Sequence, residues 1–227
     1  MNRRRTIPER VLTVLAGALV LRALAGILGN YGDYFPPSFA SAFLHGREAY
    51  FHGWYQWAFH VHIVSGPLVL AVGLFLVSDP ARRLSPRWHR RLGWFQVGCV
   101  LLLTTPSGLW MATRAAAGPV AGVGLATLAV ATAGSIALGA MAAVQRRFAA
   151  HRRWMWRCYL LLCSTIVLRL VGGLATALEW SPPWLDPLTS WACWLVPLAA
   201  FECRERWRRR ENDLPPSRGK TDREAAR

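Results

Sequence analysis

The sequence predicts an all-α polytopic membrane bundle of about six transmembrane helices. Three observations predict it: six apolar runs of bilayer-crossing length, arginine clusters between alternate runs, and no two-residue alternation inside any run. A helix needs about 20 apolar residues to cross about 30 Å of hydrocarbon. Lipid supplies no partner for an open backbone, so such runs are helices and not isolated strands. Composition agrees, at 53% hydrophobic and 17% charged residues with twelve tryptophans and a mean hydropathy of +0.23.

The first run, 11–28, follows a short basic segment, 1–10, that carries Arg3, Arg4, Arg5 and Arg10. The same pattern, ending in Ala23-Leu24-Ala25-Gly26, also fits a cleaved signal peptide, but Arg22 interrupts the apolar core that a signal peptide needs. The connection 29–56 is the longest and is dense in aromatics, from Tyr31 to Tyr55, which predicts a surface-lying segment with a short interfacial helix around 38–50. The second run is 57–77. The third, 92–112, contains a Pro106-Ser107-Gly108 break. The fourth, 120–144, carries Gly122, Gly124, Gly134 and Gly139 as helix-packing positions. The fifth and sixth are 154–178 and 184–201, which closes a transmembrane domain at 203. The segment 204–227 is basic, contains Pro215-Pro216 and lacks apolar periodicity, so a disordered tail is expected.

Arginine fixes the orientation. Arg82, Arg83, Arg87, Arg90 and Arg91 join runs two and three, Arg146 to Arg157 join runs four and five, and Arg204 to Arg210 follow run six. The other connections contain only Arg47 and Arg114. By the positive-inside rule both termini are cytoplasmic.

The net charge of +15 does not indicate nucleic-acid binding, because the arginines sit between apolar runs and not over a polar domain. Membrane lipid is the expected counter-charge. The five cysteines lie in or beside apolar runs and form no CxxC pair, so neither a disulfide framework nor a thiolate metal site is expected. No G-x-S-x-G, P-loop or H-E-x-x-H motif is present.

Two sets of residues point to chemistry. His89-Arg90-Arg91 and His151-Arg152-Arg153 form a weak internal repeat at the mouths of runs three and five, which places two imidazoles at matching depth. Two such imidazoles on facing helices are the ligands of a b-type haem, and Gly93, four residues after His89, leaves room for a flat macrocycle. The competing readings have each histidine in a basic loop, solvated or bonded to a helix end or a lipid phosphate, or serving another metal or a proton.

On the other side, His62 faces the bundle with Ser65 and Gly66 at helical spacing. Arg169 and Arg22 lie about 13 and 9 Å from the outer ends of their runs at about 1.5 Å per residue. A charge at that depth costs at least about 2.5 kcal/mol unless it is paired or snorkels. Together with Ser107 these residues form a candidate cationic pocket for haem propionates, a quinone, a small anion or a lipid headgroup. Alternatively, Arg169 caps carbonyls released at the Pro106 break.

His62-Ile63-x-Ser65-Gly66, His89-Arg90-x-Leu92-Gly93, Pro106-Ser107-Gly108-Leu109, His151-Arg152-Arg153-Trp154-Met155-x-Arg157-x-Tyr159 and Leu168-Arg169 occur together. As a set, over roughly 59–172, they resemble an uncharacterised bacterial family of multi-pass membrane proteins, grouped as a domain of unknown function. The resemblance implies a multi-pass protein of the bacterial inner membrane. The family's layout is similar to that of transmembrane b-type cytochromes and ferric-reductase-like proteins, which implies haem b between helices. Run four has no histidine, so at most one haem, on the cytoplasmic side at His89 and His151, is supplied with both ligands. Membrane electron transfer is one expectation, and a non-catalytic binding or transport protein with the cationic pocket is the other.

Overall fold

The computed structural model describes residues 7–41, 43–78 and 85–213. Arg3, Arg4, Arg5, Arg82 and Arg83, which support the predicted orientation, lie outside them. Among the described residues the elements are α1 (Ile7–Gly29), a 3-10 turn (Asn30–Asp33), α2 (Glu48–Phe51), α3 (Trp54–Val77), α4 (Pro86–Cys99), a π turn (Val100–Thr104) leading into α5 (Thr105–Ala112), α6 (Gly118–Val144), α7 (Phe148–Leu162), α8 (Ser164–Ala177) and α9 (Leu185–Asp213). No strand is present among them, and the protein is an all-α helical bundle. Five stretches are long and apolar enough to cross a membrane: Val11–Asp33, Trp54–Val77, Pro86–Ala112, Gly118–Val144 and Phe148–Ala177.

The sixth apolar run forms the first part of α9. This helix follows the height of the bundle, since Trp191 donates from Nε1 to the Val120 carbonyl near one end (3.1 Å) and Glu202 pairs with Arg157 near the other. It then continues to Asp213, ten residues into the segment expected to be disordered. The correction has a simple cause. Residues 202–211 are nearly all Glu and Arg, good helix formers, and Arg208 and Glu205 meet across a turn at 4.0 Å. Residues 214–227 lie outside the described set.

Helices α3, α4–α5, α6 and α7 make a four-helix core in which each packs on the next and α7 returns to α3. α4–α5 therefore stands across the bundle from α7, and α3 across from α6. α1 lies against α3 and α8, and α9 against α6, α7 and α8. Small residues allow the close approaches. A Cβ at Gly122 would lie 2.6 Å from the Ala112 carbonyl oxygen, and one at Gly139 would lie 3.2 Å from the Trp154 Cβ and nearer still to the Met155 methyl.

Helix starts are legible. Ser85 accepts from the Trp88 amide and Pro86 opens α4, so this helix begins six residues before its apolar run. Pro67 inside α3 lacks the N–H that would reach Ile63, and the Tyr31 hydroxyl donates to that carbonyl instead. The segment before α3 corrects a second expectation. It forms turns and the short α2, not an interfacial helix over 38–50. Its side chains build a compact aromatic cap: Tyr34, Leu44, Phe51, Tyr55 and Phe59 are buried together. Phe59 meets Tyr34, Phe43 and Phe51 at centroid distances of 5.2 to 5.5 Å. A cluster packed from several directions needs the chain to turn, and Gly46 and Gly53 provide this at φ of 72° and 78°.

Candidate functional site

A polar seam runs between α3 and the third span. Residues 62, 65, 69 and 73 recur at three- and four-residue spacing and so share one face of α3. Opposite them, in antiparallel order, stand Ser107, Thr104 and Gln96. His62 Nδ1 lies 3.1 Å from Ser107 Oγ. The Ser107 hydroxyl itself donates back into its helix, to the Leu103 carbonyl at 2.6 Å and the Thr104 carbonyl at 3.1 Å. With that hydroxyl turned to the backbone, the contact suits an imidazole that donates from Nδ1 to the Ser107 oxygen. The next rung is Thr104 Oγ1 donating to Ser65 Oγ at 3.1 Å. Gly108 makes the approach possible, because a Cβ there would sit 3.1 Å from His62 Cε1.

The π turn belongs to this seam. It inserts a residue just before Pro106, which cannot donate, and the Thr105 amide reaches back five residues to Val100. The widened turn sets Thr104 and Ser107 toward α3.

Further along, Gln96 is 3% exposed and donates from Nε2 to the Val69 carbonyl at 2.8 Å. Its Oε1 has no hydrogen-bond partner among the described residues, and neither does the hydroxyl of Tyr159 on α7, which is 7% exposed. The Cys163 thiol, a weak partner, stands beside that hydroxyl. Both side chains converge on Gly73, where a Cβ would meet the Tyr159 ring at 3.0 Å and Gln96 Nε2 at 3.4 Å. Gln96 and Tyr159 were not among the candidates read from the sequence. The signal was there, as a lone amide at the fifth position of the third apolar run and a tyrosine at the sixth position of the fifth.

Of the predicted pocket, the structure brings together His62 and Ser107 and does not bring in the arginines. Arg22 and Arg169 are exposed, because α1 packs through Val20, Leu24 and Ile27, and α8 through Ser164, Ile166 and Ala175. A Cβ at Gly26, one turn on, would lie 3.5 Å from a terminal nitrogen of Arg22. The charge of Arg169 acts instead on Tyr34 of the aromatic cap, where burial pushes the hydroxyl above its usual range and the arginine opposes that rise. Ser107, not Arg169, caps the carbonyls beside the Pro106 break. His60 turns to the cap, its Nε2 3.3 Å from the Tyr34 carbonyl oxygen and its ring stacked on Phe35 at 4.8 Å.

His89 and His151 are each the fourth residue of their helices, α4 and α7. His151 Nδ1 lies 2.9 Å from the Gly139 carbonyl oxygen of α6, a contact that fixes the ring with Nδ1–H donating. At Gly93, one turn beyond His89, a Cβ would meet nothing within 4 Å. Among the described residues no group of three or more His, Cys, Asp or Glu is placed to hold a metal ion; a two-histidine haem site does not require one.

An α-helical bundle with five apolar crossing-length helices, polar groups on its inner faces and arginines gathered at one end defines a multi-pass membrane protein. Residues 59–203 match the family described as Predicted membrane protein (DUF2306), a domain of unknown function, and the chain belongs to it. The match takes in the four-helix core from Phe59 on, α8 and the apolar first part of α9, extending past the motifs that end at Arg169. No curated protein and no solved structure matches the chain.

Proposed function

We propose that this is a multi-pass protein of the bacterial inner membrane, with both termini cytoplasmic, whose core carries one b-type haem between His89 and His151. The observation that carries the reading is their matched placement, in the same turn of two helices that stand across the four-helix core from each other. Two further features fit. The Gly139 carbonyl holds His151 in the tautomer that presents Nε2, as the backbone does behind metal-binding imidazoles. The open face at Gly93 leaves space beside His89. A bound b-type haem would supply one-electron transfer within the membrane. The chain's own part is to orient the imidazoles, and further along the same helices Cys99, Val100, Ile136 and Cys158 pack with Val69 of α3 into an apolar cluster that closes the core beyond them.

The test is the absorption spectrum of protein purified from a haem-replete host. A reducible Soret and α band should be present, should disappear in His89→Ala and in His151→Ala, and should persist in His62→Ala. A colourless preparation at full haem supply sinks the reading.

One observation favours a second reading, a binding or transport protein. Gln96 and Tyr159 both approach Gly73, and the Gln96 Oε1 acceptor and the Tyr159 hydroxyl suit a neutral headgroup with carbonyl or hydroxyl groups, such as a quinone. A water-soluble quinone analogue should then raise the melting temperature of the wild type and not of Tyr159→Phe.

A further inference from the structure

The two arginines of the arginine-poor end come together. Arg47 precedes α2 and Arg114 follows α5, 67 positions apart in sequence, yet both line one cavity of about 440 Å³ with His45, Tyr50 and Thr113. That volume lies in the range of small-molecule sites. No carboxylate is among its lining residues.

Arg47 is held rigidly. Its Nε donates to the Phe43 carbonyl at 2.6 Å, and one terminal nitrogen donates to the Tyr55 and Tyr50 hydroxyls at 3.0 and 3.3 Å. The guanidinium also stacks over the Phe43 ring at 4.4 Å. These contacts use three of the five N–H donors of an arginine, and the second terminal nitrogen has no hydrogen-bond partner among the described residues. Arg114 lies over Tyr50 at 5.9 Å to the ring centroid, so one tyrosine positions both cations. Two like charges on one cavity repel unless an anion joins them, and a planar fork held in advance loses little entropy on binding an oxyanion.

We propose that this cavity binds a phosphate group, with Arg47 and Arg114 as its charged contacts and Thr113 and His45 as additional donors. The site is independent of the haem reading and of the buried seam. The phosphate could belong to a free anion or to a lipid headgroup, and one experiment separates the two. The full-length chain, purified in a non-ionic sugar detergent, is titrated calorimetrically with inorganic phosphate and, separately, with phosphatidylglycerol in mixed micelles. Saturable binding of either probe, weakened at least about tenfold by Arg114→Gln, supports the site. Phosphate alone identifies a free anion, and the lipid alone a headgroup. Arg114 is exposed and holds no fold contact beyond Tyr50, so the variant folds; Arg169→Gln, exposed elsewhere, should leave binding unchanged. Failure of both probes to saturate, an unaltered Arg114→Gln, or an equal loss in Arg169→Gln overturns the proposal.

Discussion

The two halves of the α3 seam lie on one helix face and are built from similar residues, yet they are satisfied differently. Around His62, a hydroxyl or ring nitrogen answers each neighbouring polar group, from Ser107 through Thr104 to Ser65. Around Gly73, two turns further along, Gln96 Oε1 is buried without a partner among the described residues, and the buried Tyr159 hydroxyl has only the weak Cys163 thiol beside it. In a membrane interior an unpaired polar atom costs more than an apolar one in its place. The comparison teaches that a histidine in an apolar helix is not by that fact the active residue. His62 is locked into the fold, and the unspent hydrogen-bonding capacity lies with residues of less conspicuous type.

The largest effect that would break this contrast is steric. Gly73→Ala drives a methyl against the Tyr159 ring and should destabilise by about 1–3 kcal/mol, as overpacking does. Gly66→Ala, seven residues earlier, meets nothing within 4 Å and should be neutral or gain up to about 1 kcal/mol of helix propensity. Denaturant titration in mixed micelles checks both, and equal losses would mean that the tight packing at Gly73 is not special. Next comes Ser107→Ala, which removes the partner of His62 and the cap on Leu103. Hydrogen bonds between membrane helices average about 0.6 kcal/mol and reach about 1.7, and this one should fall in that range. Gln96→Leu should fall below it, near zero or stabilising, since it removes an unpaired acceptor while the helix still holds the Val69 carbonyl. If Gln96→Leu costs more than Ser107→Ala in the same titration, the assignment of the two halves is reversed.

The sequence made the helices legible because apolar length and arginine position are one-dimensional signals. It could not show rotation about each helix axis, on which the arrangement of the pocket residues depends. Arg22 and Arg169 stand at depths consistent with a buried site, but the faces that α1 and α8 present to the bundle are others. The pairing of His62 with Ser107 was within reach, since Ser65 and Gly108 mark a small-residue crossing. Gln96 and Tyr159 were not, because nothing in one chain says that an amide on the third span meets a tyrosine on the fifth. Likewise Arg47 and Arg114 read as the exceptions to a charge rule, and only the turns of the aromatic cap set them on one cavity. The tail erred in the opposite way: Pro215 and the mixed charge drew attention from the helix-forming Glu and Arg that carry α9 to Asp213.

A small, pH-dependent effect tests whether the arginine-rich end is held by surface electrostatics and not by its buried polar groups. Arg157, stacked over Trp154 at 4.4 Å, makes a two-pronged contact with Glu202 at 2.5 and 3.0 Å that ties α9 to α7. Hydrogen bonding from Arg157 holds the Glu202 carboxyl below its ordinary value of 4.5, against the opposing effect of burial. A lowered folded-state value means the unfolded chain takes up the proton first. The stabilisation is therefore complete above the ordinary carboxylate range and is lost as pH falls from about 4.5 through the lowered value. Glu202 is nearly one-third exposed, so solvent screening limits the pair to about 1 kcal/mol or less. The melting temperature of the wild type should exceed that of Glu202→Gln by a small margin at neutral pH, and the gap should close on acidification. A gap that persists at pH 3 would mean that Glu202 acts through packing, which would leave α9 anchored by Cys193 and Trp194 on Leu161 and give this end of the molecule the same apolar logic as the rest of its core.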